Sequence, residues 1–352
     1  GVCNGDNYNC TESDCICNGC TDPSALNYDS YYQFDDGSCL YSLDSNLFVS
    51  PLGDDSLNTG LSEQNPFKTI EYALWRIASD TLNINTIYLM EGIYSPSTNG
   101  ENFPVIMKSN VNIAGSGEEV TILDANQTGR VINMENCTNN TLTNLTITGG
   151  LEGQGGGISL SASNPTLTHV TIANNTANDG GGIYLFYSNA TLTHVTIANN
   201  TGGSGGGMYL FFSNPTLTHL TILDNTADSG GGMYLNNSNP TLTHMTIVNN
   251  TAGSGGGMYI RESNPTLTNS ILWDNSPQSI YTYNSEPSIK YSDIEGGWEG
   301  EGNINANPLF TDPENGDYTL LQVSPCIDDG TADLDGDGTE DITDYFGSAP
   351  DM

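Results

Sequence analysis

Between residues 155 and 275 the chain sets apolar against polar residues in short alternating runs, and the runs recur every 25 residues. The apolar positions fall into columns: Ile158/Ile183/Met208/Met233/Met258, Leu160/Leu185/Leu210/Leu235/Ile260, Leu167/Leu192/Leu217/Leu242/Leu267 and Ile172/Ile197/Ile222/Ile247/Leu272. Within a run the apolar residues lie two apart, which is the period of a strand, and no 3.6-residue pattern appears. Gly157, Gly182, Gly207, Gly232 and Gly257 close a glycine triplet in each copy. Asn175, Asn200, Asn225, Asn250 and Asn275 end the run "TIANN" and its variants. Short strands separated by Gly and Asn bends predict one turn of a parallel β-helix per repeat. A single coil cannot bury its apolar face, but coils stacked at about 4.8 Å make one continuous thin core. The Asn column is expected in a bend, each amide bonded to backbone and to the Asn one coil away. Glycines are expected where tight corners need positive φ.

The ends of a solenoid need covering, because an open edge recruits other strands. "NPFKTIEYALWRIASD" predicts a capping helix with Asn65 at the N-cap, Pro66 first, and Phe67, Ile70, Leu74 and Ile77 on one face. The chain divides into a cysteine-rich module at 1–41, an N-terminal cap with irregular coils at 42–124, regular coils at 125–295 and a C-terminal cap at 296–352.

"GGGIYL…LTHVTIANN" resembles the repeat of secreted right-handed β-helix proteins, including chlamydial polymorphic outer-membrane proteins with their GGAI and FxxN signatures. Ile172, Ile197, Ile222 and Ile247 stand where those repeats carry Phe. The likeness covers roughly residues 120–295, and it implies an all-β, right-handed parallel β-helix. The rule for parallel crossovers points to the same hand. "VSPLGDDSLNTG" onward resembles the opening segment of such proteins, and "NPLFTDPENGDYTLLQVSPCIDDG" resembles their closing segment; the resemblance implies a short apolar strand after "APDM", so a longer precursor is expected. "GCTDPSALNYDSYYQFDDGSCLY" resembles a small cysteine module of secreted proteins of marine Bacteroidetes.

Charge narrows the partners. Six Lys and Arg stand against 42 Asp and Glu, a formal net charge of −36. Phosphate contacts draw on Lys and Arg, so neither nucleic acid nor an anionic membrane surface is expected as a partner. Residues 1–154 carry 20 acids and residues 276–352 carry 17, against five between them, so a nearly neutral repeat lies between acidic ends. No run of 18 apolar residues occurs, so no membrane span is expected. Cys3, Cys10, Cys15, Cys17, Cys20 and Cys39 crowd into a segment too short for a core. They predict a disulfide framework of open connectivity, made in an oxidising compartment, and hence secretion or surface display. Cys137 and Cys326 are expected as unpaired thiols. N-x-[ST] motifs at Asn126, Asn174 and Asn189 are acceptors for glycosylation.

"DLDGDGTEDITD" carries the most specific chemistry. Asp333, Asp335, Asp337, Thr339 through its carbonyl, Asp341 and Asp344 match the ligand spacing of a calcium loop, with Gly338 at its sharp turn. It resembles the structural calcium loops of dockerin and thrombospondin type 3 repeats. Asp35 and Asp36 are candidates for a second calcium, against a plain Asp-Gly turn. The four histidines, His169, His194, His219 and His244, occupy one column that Asn144 and Asn269 continue. A position that takes His or Asn reads as a hydrogen-bonding corner, with stacked imidazoles lowering each other's pKa. Tyr184, Tyr209, Tyr234 and Tyr259, with Phe186, Tyr187, Phe211 and Phe212 beside them, are expected as an exposed stripe for a glycan or protein partner. Thr166/Thr168, Thr191/Thr193, Thr216/Thr218 and Thr241/Thr243 flank inward leucines and form an outward array that resembles the ice-binding faces of antifreeze solenoids.

Parallel β-helices also host pectate lyases, alginate lyases and polygalacturonases. Here Asp179, Asp224, Asp228 and Asp274 lie in turn columns of nearly identical repeats, whereas catalytic sites break repeat symmetry. The expectation is therefore a non-catalytic, secreted or surface solenoid with a structural or adhesive role, self-associating into a filament or layer. Ice binding and a polysaccharide-binding or lyase-like role are the alternatives.

Overall fold

A computed structural model of the chain describes residues 18–78, 83–334, 336–343, 345 and 347–352. Equivalent residues of successive copies pair in register. Thr166 pairs with Thr191, Leu167 with Leu192 and Ile172 with Ile197, all in parallel strands. Each coil shows three faces. The first is an eight-stranded parallel sheet running from Val105–Ile106 through Ile158–Ser161, Ile183–Phe186 and Met208–Phe211 to Ile280–Tyr283. The second and third share a 16-stranded sheet. Its strands Thr166–Ala173 and Thr191–Ala198 cross both faces in one piece, while later coils divide them, as in Thr216–Thr218 and Thr221–Leu223. This sheet begins at Leu47–Val49, so the irregular N-terminal coils belong to the same solenoid. One buried apolar cluster extends from Leu47 to Ile294.

The corners explain the repeat's residue choice. His169, His194, His219 and His244 have φ between 51° and 55°, and Asn144 and Asn269 have φ of 56° and 51°. The column takes His and Asn because both are enriched in the left-handed region. The glycine triplet divides its work. Gly180 has φ of 64°, whereas a Cβ on Gly182 would meet the Gly207 carbonyl at 2.6 Å. Only the first supplies the turn; the last permits close stacking of coils.

The Asn column forms the expected ladder. The backbone N–H of Asn175, Asn200, Asn225 and Asn250 donates to the side-chain oxygen of the next Asn at 2.9, 2.9, 3.0 and 3.1 Å. A second ladder, which the repeat pattern did not announce, runs through buried serines. Ser163, Ser188, Ser213 and Ser238 donate their N–H to the hydroxyl of the next Ser at 3.1, 3.0, 3.0 and 2.9 Å.

Helix α1 spans Ile70–Arg76 and its N-cap is Thr69, whose hydroxyl accepts from Tyr72 N–H at 3.1 Å. The expected cap at Asn65 is therefore corrected by four residues. Phe67 is held extended, donating to the Phe48 carbonyl at 2.8 Å and accepting from Ser50 N–H at 2.9 Å, so the helix can start only after it. At the other end Ile271, Cys326 and Met352 are buried together under Trp273, Ile304, Phe310 and Leu320. In the N-terminal module Cys20 and Cys39 form a disulfide. Cys3, Cys10, Cys15 and Cys17 lie outside the described residues. Cys137 and Cys326 are free and buried. No helix among the described residues is long and apolar enough to cross a membrane.

Candidate functional site

The first face carries the most distinctive surface. Its middle outward column is a tyrosine stack, Tyr184–Tyr209–Tyr234–Tyr259, with ring centroids 5.5, 5.0 and 4.8 Å apart. The expected exposed stripe is corrected here. Tyr184 and Tyr234 are each only 8% exposed, and Tyr209 and Tyr259 are half-buried. Parallel pairing puts identical rings face to face, so the stack covers its own members. Burial pushes the Tyr184 and Tyr209 phenols up.

The open aromatic surface lies beside this stack. Phe186 and Phe211 stack at 5.8 Å, and Tyr187 and Phe212 at 5.2 Å. Tyr187 is 56% exposed and Phe212 40%. Both have positive φ, 48° and 49°, unusual for aromatic side chains; the coil holds them there, turned outward at its corner. Polar groups border the tyrosine and phenylalanine columns. Gln154 donates to Asp179 at 3.4 Å, Asn236 donates to the Tyr209 hydroxyl at 3.3 Å, and Arg261 lies 5.8 Å over the Tyr283 ring.

Other sequence candidates are dispersed. The histidine rings stack at 5.1, 4.9 and 4.6 Å. Burial first, and the neighbouring His219 second, push His244 down to about 4; burial therefore outweighs the expected repulsion between imidazoles. Thr166, Thr191, Thr216 and Thr241 are exposed, whereas Thr168, Thr193 and Thr218 are half-buried and Thr243 is buried. Asp224 and Asp274 sit at a left-handed corner where Asn249, one coil from each, donates to Tyr318 of the C-terminal segment at 3.0 Å. Asp179 lies at another corner, bridged to Ser204, so these acids do not converge.

In the terminal loop Asp333 accepts from the N–H groups of Gly336, Asp337 and Gly338 at 2.7, 3.2 and 2.9 Å. Asp337 and Asp341 accept from Thr339 and Leu334 at 2.7 and 2.8 Å. Asp335 and Asp344 lie outside the described residues, among which no three His, Cys, Asp or Glu gather as a metal group. Asp35 and Asp36 each accept an N–H of their own turn, from Gly37 and Ser38.

Two buried acids escaped sequence reasoning. Glu101 accepts from the Ile70 and Glu71 N–H groups at 2.8 and 2.9 Å, and burial pushes it up to about 7. Asp293 accepts from the Cys326 thiol at 3.3 Å, and burial raises both groups. Neither pairing follows the 25-residue spacing, so nothing in the sequence pointed to it.

Residues 130–295 match the family model for a right-handed β-helix region. The chain is a right-handed parallel β-helix. Its structure is similar to pectin methylesterase PemA from Erwinia chrysanthemi, with TM-score 0.50 and 11% identity over 80% of this chain and 99% of that one. It is also similar to pectate lyase Pel9A, with TM-score 0.46 and 13% identity over 89% of this chain and 96% of the other. For the mannuronan C-5 epimerase AlgE4 A-module of Azotobacter vinelandii the values are 0.29 and 14%, over 62% and 80%. No curated protein matches the sequence. The expectation of a non-catalytic protein is corrected by the first of these comparisons, because an enzyme shares this coil architecture. A β-helix keeps its core and ladders whatever its outward residues do, so regular coils do not exclude catalysis.

Proposed function

We propose that this chain is a secreted, polysaccharide-associated β-helix protein that lays its glycan along the first face. The observation that carries the reading is the exposed Tyr187 and Phe212 rings, backed by Phe186 and Phe211 on a rigid sheet. Aromatic faces take the apolar C–H faces of sugar rings, and rings already fixed lose little entropy on binding. Asn236 and Arg261 continue the Phe186–Phe211 column and meet hydroxyl groups. The fold shared with a pectin methylesterase supports the same class of ligand, and the Cys20–Cys39 disulfide supports secretion. Calcium in the terminal loop is carried as part of this proposal.

The test is affinity electrophoresis of the intact protein, with calcium, against plant, algal and bacterial polysaccharides. Each retained glycan is then assayed for released methanol, new reducing ends and unsaturated products. A Tyr187→Ala/Phe212→Ala variant is expected to lose about tenfold in affinity with its circular dichroism unchanged. If no polysaccharide is retained, the reading fails.

A further inference from the structure

The aromatic columns of the first face start abruptly. Phe186 pairs with Ser161 in the preceding coil, and Ser161 pairs with Glu135 in the coil before that. At the adjoining corner Tyr187 is preceded by Ala162 and then by Asn136, all three in the left-handed conformation. Two short side chains thus separate a rung of rings from a rung of longer polar groups. Ala162, Glu135 and Asn136 are exposed and Ser161 is partly exposed, so this rung opens to solvent.

The far faces of Phe186 and Tyr187 are covered by Phe211 and Phe212, at 5.8 and 5.2 Å. On the other side the same columns hold Ser161 and Ala162, where no ring continues either stack. Two coil spacings, about 9.6 Å, separate the walls. With contacts of about 3.5–4 Å on each side, that space takes one ring.

We propose that this notch is a subsite for one uncharged pyranose ring of the polysaccharide, entering as the missing rung of the stack. It rests on the polysaccharide reading above and specifies where, and for which class of sugar. The apolar ring face lies on Tyr187, against which Phe186 stands edge to face at 71°, and the hydroxyls reach Glu135 and Asn136 on the opposite wall. The Glu135 carboxylate accepts hydroxyl groups and repels a uronate, as does the net charge of −36.

The experiment fills the notch with the residues that the next coil already carries there. A Ser161→Phe/Ala162→Tyr variant and an open control, Ser161→Ala, are titrated calorimetrically with three probes: methyl-esterified homogalacturonan, its de-esterified form and a neutral β-galactan. In the unaltered protein, binding is expected for at least one uncharged probe and weaker for the de-esterified one. Filling is expected to lower affinity about tenfold or more, with the control within about twofold. Should the filled variant fail to fold, Glu135→Lys supplies the readout, because it is expected to shift preference toward the de-esterified probe. A folded, filled variant that binds as tightly as the parent overturns the notch and leaves the wider reading standing, and so does a Glu135→Lys protein with unchanged preference. No binding of any polysaccharide by the intact protein overturns both.

Discussion

Asn225 shows how one side chain serves two coils. Its amide donates to the Ile197 carbonyl at 2.9 Å and to the Asn250 side chain at 3.0 Å, while its oxygen accepts from Asn200 N–H at 2.9 Å. Asn225→Ala strands buried groups above and below it, at about 1–3 kcal/mol each. Urea unfolding is expected to show a loss of about 3 kcal/mol or more, and a loss below about 1 kcal/mol would refute the ladder's structural role. His244 gives a pH signature. Its folded value of about 4 lies below the ordinary 6.5, so below pH 6.5 the unfolded chain takes up a proton that the folded chain refuses until about pH 4. The stabilisation present above that window is lost as pH falls through it. Asn occupies the same corner at positions 144 and 269, so His244→Asn should fold and remove this loss. After allowance for solvent screening, the difference between variant and parent should grow by about 2 kcal/mol between pH 6.5 and pH 4.

Strands were legible because alternation and column agreed at every coil, while helix α1 was legible in kind and misplaced at its start. A Pro after Asn is a good local start signal, but the ladder bonds of Phe67 to Phe48 and Ser50 outrank it. The serine ladder was hidden by the run "SNP", which locally reads as a turn. Glu101 tests how the helix is seated. With a folded value of about 7 against an ordinary 4.5, the folded chain holds a proton that the unfolded chain has released. Stability should therefore fall as pH rises from 4.5 to 7, opposite in sign to His244. Glu101→Gln should abolish that fall in pH-dependent urea titrations, and an unchanged slope would assign the effect to another group.

Across the molecule, acidic ends flank a nearly neutral rod. Like charges at such density oppose compaction, and cations that bind only the folded chain offset this. If calcium occupies the terminal loop as proposed, chelation should lower the melting temperature and calorimetry should find one site fewer in Asp335→Ala. Equal stoichiometry in the two proteins would remove the loop from the calcium account. The candidate glycan face also belongs to this level, since Ser161, Phe186 and Phe211 belong to three different coils and form one surface only when stacked.

In a solenoid, spatial neighbours stand at a constant separation along the chain, here 25 residues. Columns in the sequence are therefore lines in space, and the core, the Asn ladder and the glycine corners follow from the amino-acid sequence by itself. Stacking determined the rest. Whether a ring in a column is covered or open depends on the rings above and below it, so the stacked tyrosines turned out buried or half-buried and the notch beside Phe186 appeared. Contacts that leave the repeat, such as Cys326 with Asp293 or Glu101 with the start of helix α1, follow no spacing rule. They arise from the way the two ends of the chain pack back onto the rod.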